Sequence, residues 1–186
     1  MEDMHDCAHH DGGGVDGVFQ SLNEMDFSRG PWTSASNGDY PYIQKYLDEG
    51  GEPNIRDSAG YTPLHYSARN GHEYITKALI TSGALVNVQT RAGRATPLHR
   101  ACQNNCPAIV KILLRHNADP CIQDADGKTP LHKAVESRSA KICKMLIENN
   151  PKCEEIPDNK AKMPKNYISL SEVDSEICKI LKWRKS

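Results

Sequence analysis

The strongest constraint on this chain is a four-residue string that occurs three times. Thr62-Pro63-Leu64-His65 returns 34 residues later as Thr96-Pro97-Leu98-His99, and 33 residues after that as Thr129-Pro130-Leu131-His132. Self-similarity at such a period marks a solenoid, in which each unit is one supersecondary element that cannot bury its apolar face without a neighbour. Each letter has a mechanical job. Threonine suits a helix N-cap, proline the first turn where a missing N–H costs nothing, and leucine the interior of the stack. Histidine offers two ring nitrogens that bridge backbone groups of adjacent loops. A row of histidines invites a metal or catalytic reading, but stacked units hold equivalent side chains about 10 Å apart, too far to share one ion. His65, His99 and His132 therefore read as framework.

The rest of each unit is legible from its turn residues. A tip such as Asp57-Ser58-Ala59-Gly60-Tyr61 leads into the first helix, Asn70-Gly71 makes a tight turn, and a longer second helix through Ile75, Leu79 and Ile80 stops at Gly83. Gly60, Gly93 and Gly127 are expected to take positive φ at the tips. Asn105 stands for glycine at one interhelical turn, and Asn117 and Asn150 stand for it after two second helices, because asparagine best tolerates the left-handed region after glycine. Arg138 fits that slot less well, so the turn Ser137-Arg138-Ser139 is expected to be strained or reshaped. The interval of 34 places one extra residue in Arg91-Ala92-Gly93-Arg94-Ala95, so this tip should bulge.

The ends depart from the pattern. Residues 1–14, with His5, Cys7, His9, His10 and a Gly12-Gly13-Gly14 run, carry no apolar periodicity and read as a disordered tail. Its metal-donor residue types have no fold to group them. Residues 15–27 place Val15, Val18, Phe19, Leu22 and Met25 on one helical stripe, and Ser28 is expected to cap the next helix with Pro31 in its first turn. Asn37-Gly38-Asp39 followed by Ile43, Leu47 and Gly50 matches Asn70-Gly71-His72 with Thr76, Ile80 and Gly83, which makes residues 31–57 a degenerate first unit. Full units follow at 58–90, 91–124 and 125–157. Residues 158–186 keep Pro164 but lose threonine, leucine and histidine, as a soluble terminal cap should. Its helix is expected over Ser171 to Trp183, with Ile177, Ile180 and Leu181 buried and Lys182, Arg184 and Lys185 at the negative end of the helix dipole.

Bulk properties narrow the function classes. With 38% hydrophobic but only 6% aromatic residues, the composition suits a repeat array better than an aromatic core, and a formal net charge of −1 gives no electrostatic case for a nucleic-acid binder. The charge is unevenly spread, net −6 over residues 1–29 and net +4 over residues 160–186. The seven cysteines are scattered without a Cys-x-x-Cys pair, which argues against a disulfide framework or a zinc cage and for a reducing compartment. The acidic start lacks the features of a secretory signal, and no stretch approaches the ~18 apolar residues of a membrane span. The expectation is a monomer in the cytoplasm or nucleus, with no membrane partner.

The string from Asp57 to His72, and the run Gly83-Ala84-Leu85-Val86-Asn87, closely resemble the ankyrin-repeat family, and the match recurs over roughly residues 31–168, within a repeat region of residues 28–168. The resemblance implies an all-α fold: a solenoid of stacked helix-turn-helix units with hairpin loops, capped at both ends. It also implies a non-enzymatic protein-binding role through a concave face and the tips. No phosphate-cradling glycine loop, His-Glu-x-x-His helix or serine elbow is present, so no catalytic residue, metal or cofactor is expected.

Positions that the fold leaves open should carry recognition. They hold Tyr61 as an aromatic anchor, Arg69 and Asn70, then Arg91 and Arg94, then Gln103 and Asn104, then Lys128, Glu136 and Lys160. Basic tips favour a partner protein with an acidic or phosphorylated segment. A second class of function would attach Lys179 to Lys185 to nucleic acid or an acidic surface. A third feature is Asn87, which is similar to asparagines hydroxylated in other ankyrin proteins, against the simpler role of hydrogen bonding across its own loop.

Overall fold

A computed structural model of the chain describes residues 30–168 and 176–181. Four helix pairs follow one another: α1 (Pro31–Asn37) and α2 (Tyr40–Asp48), α3 (Pro63–Asn70) and α4 (Glu73–Thr81), α5 (Pro97–Gln103) and α6 (Pro107–Arg115), then α7 (Pro130–Glu136) and α8 (Ala140–Asn149). Two 3₁₀ turns, Pro151–Glu155 and Pro164–Tyr167, lead to α9 (Glu176–Ile180). First helices pack in series, α1 on α3 on α5 on α7 on the Pro164–Tyr167 turn, and second helices do likewise from α2 to α8, with α9 against α8. The paired helices are 7 to 10 residues long. Such lengths are marginal in isolation, so packing between units holds them.

The core runs through both rows. Leu64, Leu98 and Leu131 are 0% exposed, and Ile75, Leu79, Ile109, Leu113, Ile142 and Leu146 line the second helices beneath them. Small buried residues on the first helices, Ala68, Ala101 and Ala134 among them, let neighbouring helices approach closely. The buried apolar side chains of the described residues are aliphatic or cysteine, with no aromatic ring among them, in keeping with the sparse aromatic content.

The repeated string behaves as its letters require. Each proline opens a helix whose N-cap is the preceding threonine, and the histidine at the third helical position reaches back to that cap. His65 Nδ1 accepts the Thr62 N–H at 3.1 Å, while Nε2 lies 3.0 Å from the Ala95 carbonyl of the next unit. His99 repeats this with Thr96 and Lys128, and His132 with Thr129 and Lys162. A carbonyl only accepts, so Nε2 carries the proton and each ring is neutral. Burial pushes His65 and His99 down to about 4, and His132 in the same direction.

Several expectations change. The helix-opening cap of the first unit is Gly30 rather than Ser28, which lies outside the described residues together with the 1–14 tail and the 15–27 stripe. Trp32 takes over the histidine's link, its indole N–H donating to the Ile55 carbonyl at 3.3 Å. The tight interhelical turns hold left-handed geometry at Gly71 (φ 78°), Asn105 (52°) and Arg138 (57°) alike. The Arg138 turn is therefore not reshaped: packing of α7 on α8 imposes the conformation on a residue that disfavours it.

Asn117 takes φ 62° as expected, but Asn150 is extended at φ −148°. Pro151 follows it, and a residue before proline is driven out of the helical regions. Gly93 does not supply positive φ at the second tip; Arg94 does, at 46°, because the extra residue moves the left-handed position one step along. Among the described residues the tips form no strands; consecutive tips are joined instead by one backbone bond each, Arg91 N–H to Ala59 O (3.0 Å), Ala125 N–H to Gly93 O (2.9 Å) and Asn159 N–H to Asp126 O (3.0 Å). A Cβ added to Gly60 would lie 2.7 Å from the Arg91 nitrogen, so the tips could not close this far with alanine there. In the capping helix Ile177 and Leu181 are buried and Ile180 partly so, while residues 169–175 and 182–186 lie outside the described residues.

Candidate functional site

One face of the stack presents the tips together with the exposed side of the first helices. Each tip is organised by one side chain. Asp57, Asp124 and Asp158 stand five residues before the N-cap position, and each donates its N–H to the carbonyl four residues on, at 2.9 Å. Each Oδ1 accepts two further backbone N–H groups, from Ala59 and Tyr61, Asp126 and Lys128, and Lys160 and Lys162. These are Asx turns whose carboxylates are buried by their own loops.

The remaining oxygen, Oδ2, faces the residue just past the histidine or its counterpart. The Tyr66 hydroxyl donates to Asp57 at 2.7 Å, Lys133 Nζ pairs with Asp124 at 2.9 Å, and the Tyr167 hydroxyl donates to Asp158. The Tyr167 hydroxyl, with the N–H groups of Lys162 and Lys160, holds the Asp158 carboxyl down at about 2, whereas burial and the Asp57 carboxylate raise the Tyr66 phenol above its ordinary range.

The second tip breaks the pattern. Thr90 takes the organising place: its N–H donates to Ala95 O at 3.0 Å, and its hydroxyl accepts the Ala95 N–H at 3.1 Å. A threonine has no second oxygen, so Arg100, the counterpart of Tyr66 and Lys133, turns elsewhere. Its Nη2 donates to the Tyr61 hydroxyl and its Nη1 to Gln103 Oε1 at 3.0 Å, with the guanidinium carbon 5.1 Å from the Tyr61 ring centre.

The residues expected to carry recognition divide into four groups. Tyr61 and Gln103 meet around Arg100, and Tyr61 also packs against His65 and Tyr66 with ring centres 5.4 and 5.5 Å away. Lys128 bonds to Glu136 and lies 4.7 Å over the Tyr167 ring. Burial pulls the Lys128 ammonium down and the Glu136 carboxylate more than offsets it, leaving its pKa above the ordinary lysine value. Asn70 is tied back to Ser36, and the Asn104 amide caps α5 at the Arg100 carbonyl. The exposed cations are Arg69, Arg94, Lys160 and Arg91, the last also donating to Ser58 O at 3.2 Å.

Sequence reasoning passed over Arg100, Lys133, Tyr66 and Tyr167. Their regular place, one residue beyond the histidine, was a usable signal. It also passed over the exposed outer-helix aromatics Tyr40 and Tyr74, whose rings meet edge to face at 6.2 Å, with Lys77 over Tyr74.

Asn87 bridges units. Its Nδ2 donates to Asn117 O at 3.1 Å and its Oδ1 accepts the Asp119 N–H at 2.9 Å, as Asn54 does one unit earlier with Gly83 O and Leu85 N–H. Asn87→Ala is expected to cost about 1–2 kcal/mol in urea titration, since two groups lose their partner; a loss below about 0.5 kcal/mol would contradict the bridge.

Reactive chemistry finds little footing here. Every framework histidine has both ring nitrogens occupied, and burial raises the Cys143 and Cys153 thiols to about 12. Cys102, Cys106 and Cys121 are raised as well, so these five free thiols resist forming thiolate. The described residues hold no group of three or more His, Cys, Asp or Glu side chains able to bind a metal ion, and none of their helices is long and apolar enough to cross a membrane. Of the basic C-terminal group, Lys179 is exposed on α9, and Lys182, Arg184 and Lys185 lie outside the described residues.

Comparison with known proteins fits this geometry. A family model described as ankyrin repeats (3 copies) matches residues 32–124, 78–157 and 110–181 in overlapping placements. Ankyrin repeat domain-containing protein 39 of Homo sapiens is 45% identical over 84 residues, 45% of this chain and 45% of that protein. Its Bos taurus counterpart is 52% identical over 56 residues, 30% of this chain and 31% of that one. Ankyrin repeat and SOCS box protein 16 of Mus musculus is 31% identical over 102 residues, 50% of this chain and 22% of that protein. The chain thus spans less than half the length of each of these curated relatives.

Proposed function

Because the chain belongs to the ankyrin-repeat family, whose members are generally protein-interaction modules, we propose that it binds a partner protein through its tips and first helices, and that the partner presents an acidic or phosphorylated segment. The observation that carries this is the charge left over on that face. Its carboxylates are largely spent: Asp57, Asp124 and Asp158 are buried in their own turns, and Glu136 is paired with Lys128. Arg69, Arg91, Arg94 and Lys160 stay exposed around them, with Asp126 as the exposed tip carboxylate. A face with unspent cations steers and holds an anionic partner, and bidentate arginine contacts suit carboxylate and phosphate alike.

The test is capture of partners from a cell lysate by the full chain, compared with Arg91→Glu plus Arg94→Glu. Both residues are exposed and the double variant gives up only the Arg91–Ser58 bond, so it should melt close to wild type. Partner recovery is expected to fall at least about tenfold, and wild-type recovery to weaken as salt is raised past the screening range of about 0.15 M. Undiminished recovery by a folded double variant overturns the proposal.

A further inference from the structure

We infer that Arg100 is the receptor for an acidic side chain of the partner, an Asp or Glu carboxylate that completes a pairing the other units make internally. The inference rests on the acidic-partner reading above and assigns it a centre. In three of four tips the organising residue is an aspartate whose free oxygen engages the residue beyond the histidine: Tyr66, Lys133 or Tyr167. In the second tip that residue is an arginine and the aspartate is missing, replaced by Thr90, which keeps two of the aspartate's three backbone contacts and none of its charge.

The consequence is a cation without a counter-ion. Arginine cannot shed its proton, yet no carboxylate among the described residues lies within ion-pair distance of Arg100. Its two hydrogen-bond acceptors, the Tyr61 hydroxyl and the Gln103 amide, are both neutral, and its buried Nε has no hydrogen-bond partner among the described residues. A polar group left in that condition costs more than one that is paired, and a charged one costs most.

Access comes from the tip glycine, which stands three residues after the organising position here as Gly60 and Gly127 do in their tips. Gly93, at the tip beside Arg100, carries no side chain; a Cβ there would lie 3.9 Å from Nη2, so any larger residue would cover that edge of the guanidinium. Arg94 and Arg91 flank the opening on the exposed tip and add positive potential. A carboxylate entering over Gly93 would meet the Nη edge of the fork while the Tyr61 ring backs the guanidinium, the geometry in which arginine outperforms lysine.

The test uses the full chain and a fluorescein-labelled ten-residue polyglutamate peptide as probe, read by anisotropy at about 50 mM salt, where surface attraction is little screened. Thr90→Asp restores the internal carboxylate. It is expected to raise the melting temperature and weaken peptide binding at least about tenfold, because Arg100 is then satisfied from within. Arg100→Lys keeps the charge but not the fork and is expected to weaken binding by a similar factor while leaving the fold intact.

Wild type binding the peptide, with Arg91→Glu plus Arg94→Glu weakened but both Thr90→Asp and Arg100→Lys unchanged, overturns the Arg100 assignment and leaves the acidic-partner reading standing. A wild-type chain that ignores polyglutamate overturns the acidic-partner reading itself. If Thr90→Asp fails to fold, Arg100→Lys alone decides.

Discussion

Acidification from pH 7 to 4 is expected to remove several kcal/mol of stability, with most of the loss between about pH 6.5 and 4. The cause is the framework histidines. His65 and His99 are held in the neutral form at about 4, below the 6.5 of an unfolded histidine, because burial disfavours the imidazolium. A depressed pKa contributes stability that is fully present above the unfolded value and drains away as pH falls through the window toward the folded one. At the steepest point each such group removes about 1.4 kcal/mol per pH unit, so the pair removes about 2.7. His132 shifts in the same direction and adds to the slope.

The structural reason is specific. Nδ1 of each ring already accepts a threonine N–H, so a second proton there would face a donor rather than an acceptor and would break the cap. Urea midpoints at pH 7, 6, 5 and 4 measure the effect. His99→Asn should keep a cap, as Asn166 does in the last unit by accepting the Met163 N–H at 2.8 Å, but lose the link to Lys128 O and flatten the acid slope by about half. A slope that His99→Asn leaves untouched would mean that other groups govern acid unfolding. Asp158 acts in a separate window: its carboxyl is held at about 2, so its contribution is present above the ordinary carboxylate value and lost only below it.

Leu98→Ala is the second large effect, about 2–4 kcal/mol in denaturant titration. Leu98 is wholly excluded from solvent on α5, whose neighbours α3 and α7 cover it from both sides. Truncation there leaves a cavity in the middle of the stack that no terminal movement can close. Leu181→Ala should cost less, although Leu181 is also buried, because it follows α9, the last described helix, which packs on α8 alone among the second helices. In a quasi-one-dimensional array a central defect weakens two interfaces and a terminal one weakens a single interface. Equal losses at the two positions would contradict that account.

How much was legible depended on the range of the interaction. The capping role of Thr62, Thr96 and Thr129, the prolines at helix starts and the left-handed turns at Asn105 and Asn117 are all encoded within a few residues, and each has the expected form. Even the link from histidine to the next loop was readable, because it recurs with the period. The failures have separate causes. Gly93 seemed the natural tip residue, but the extra residue in that tip is absorbed so that Arg94 bends instead. Asn150 looked like Asn117, yet the proline after it forbids the left-handed region.

The recognition residues divide along the same line. Lys128 looked as free as Arg94 in the sequence, and only the packing of α7 beside the last tip brings Glu136 and Tyr167 to it. In the sequence Arg100 is one more polar letter on a helix. Its character emerges only when Thr90, ten residues before it, is seen in the place of an aspartate.

Thus the sequence by itself determined the period, the fold, the buried leucines and the histidine framework, because those follow from local propensity repeated in phase. Only the tertiary structure decided which charges on the binding face are neutralised and which remain to be met from outside. Ion pairing depends on distances of a few ångströms between side chains that the fold, and not the chain order, brings together.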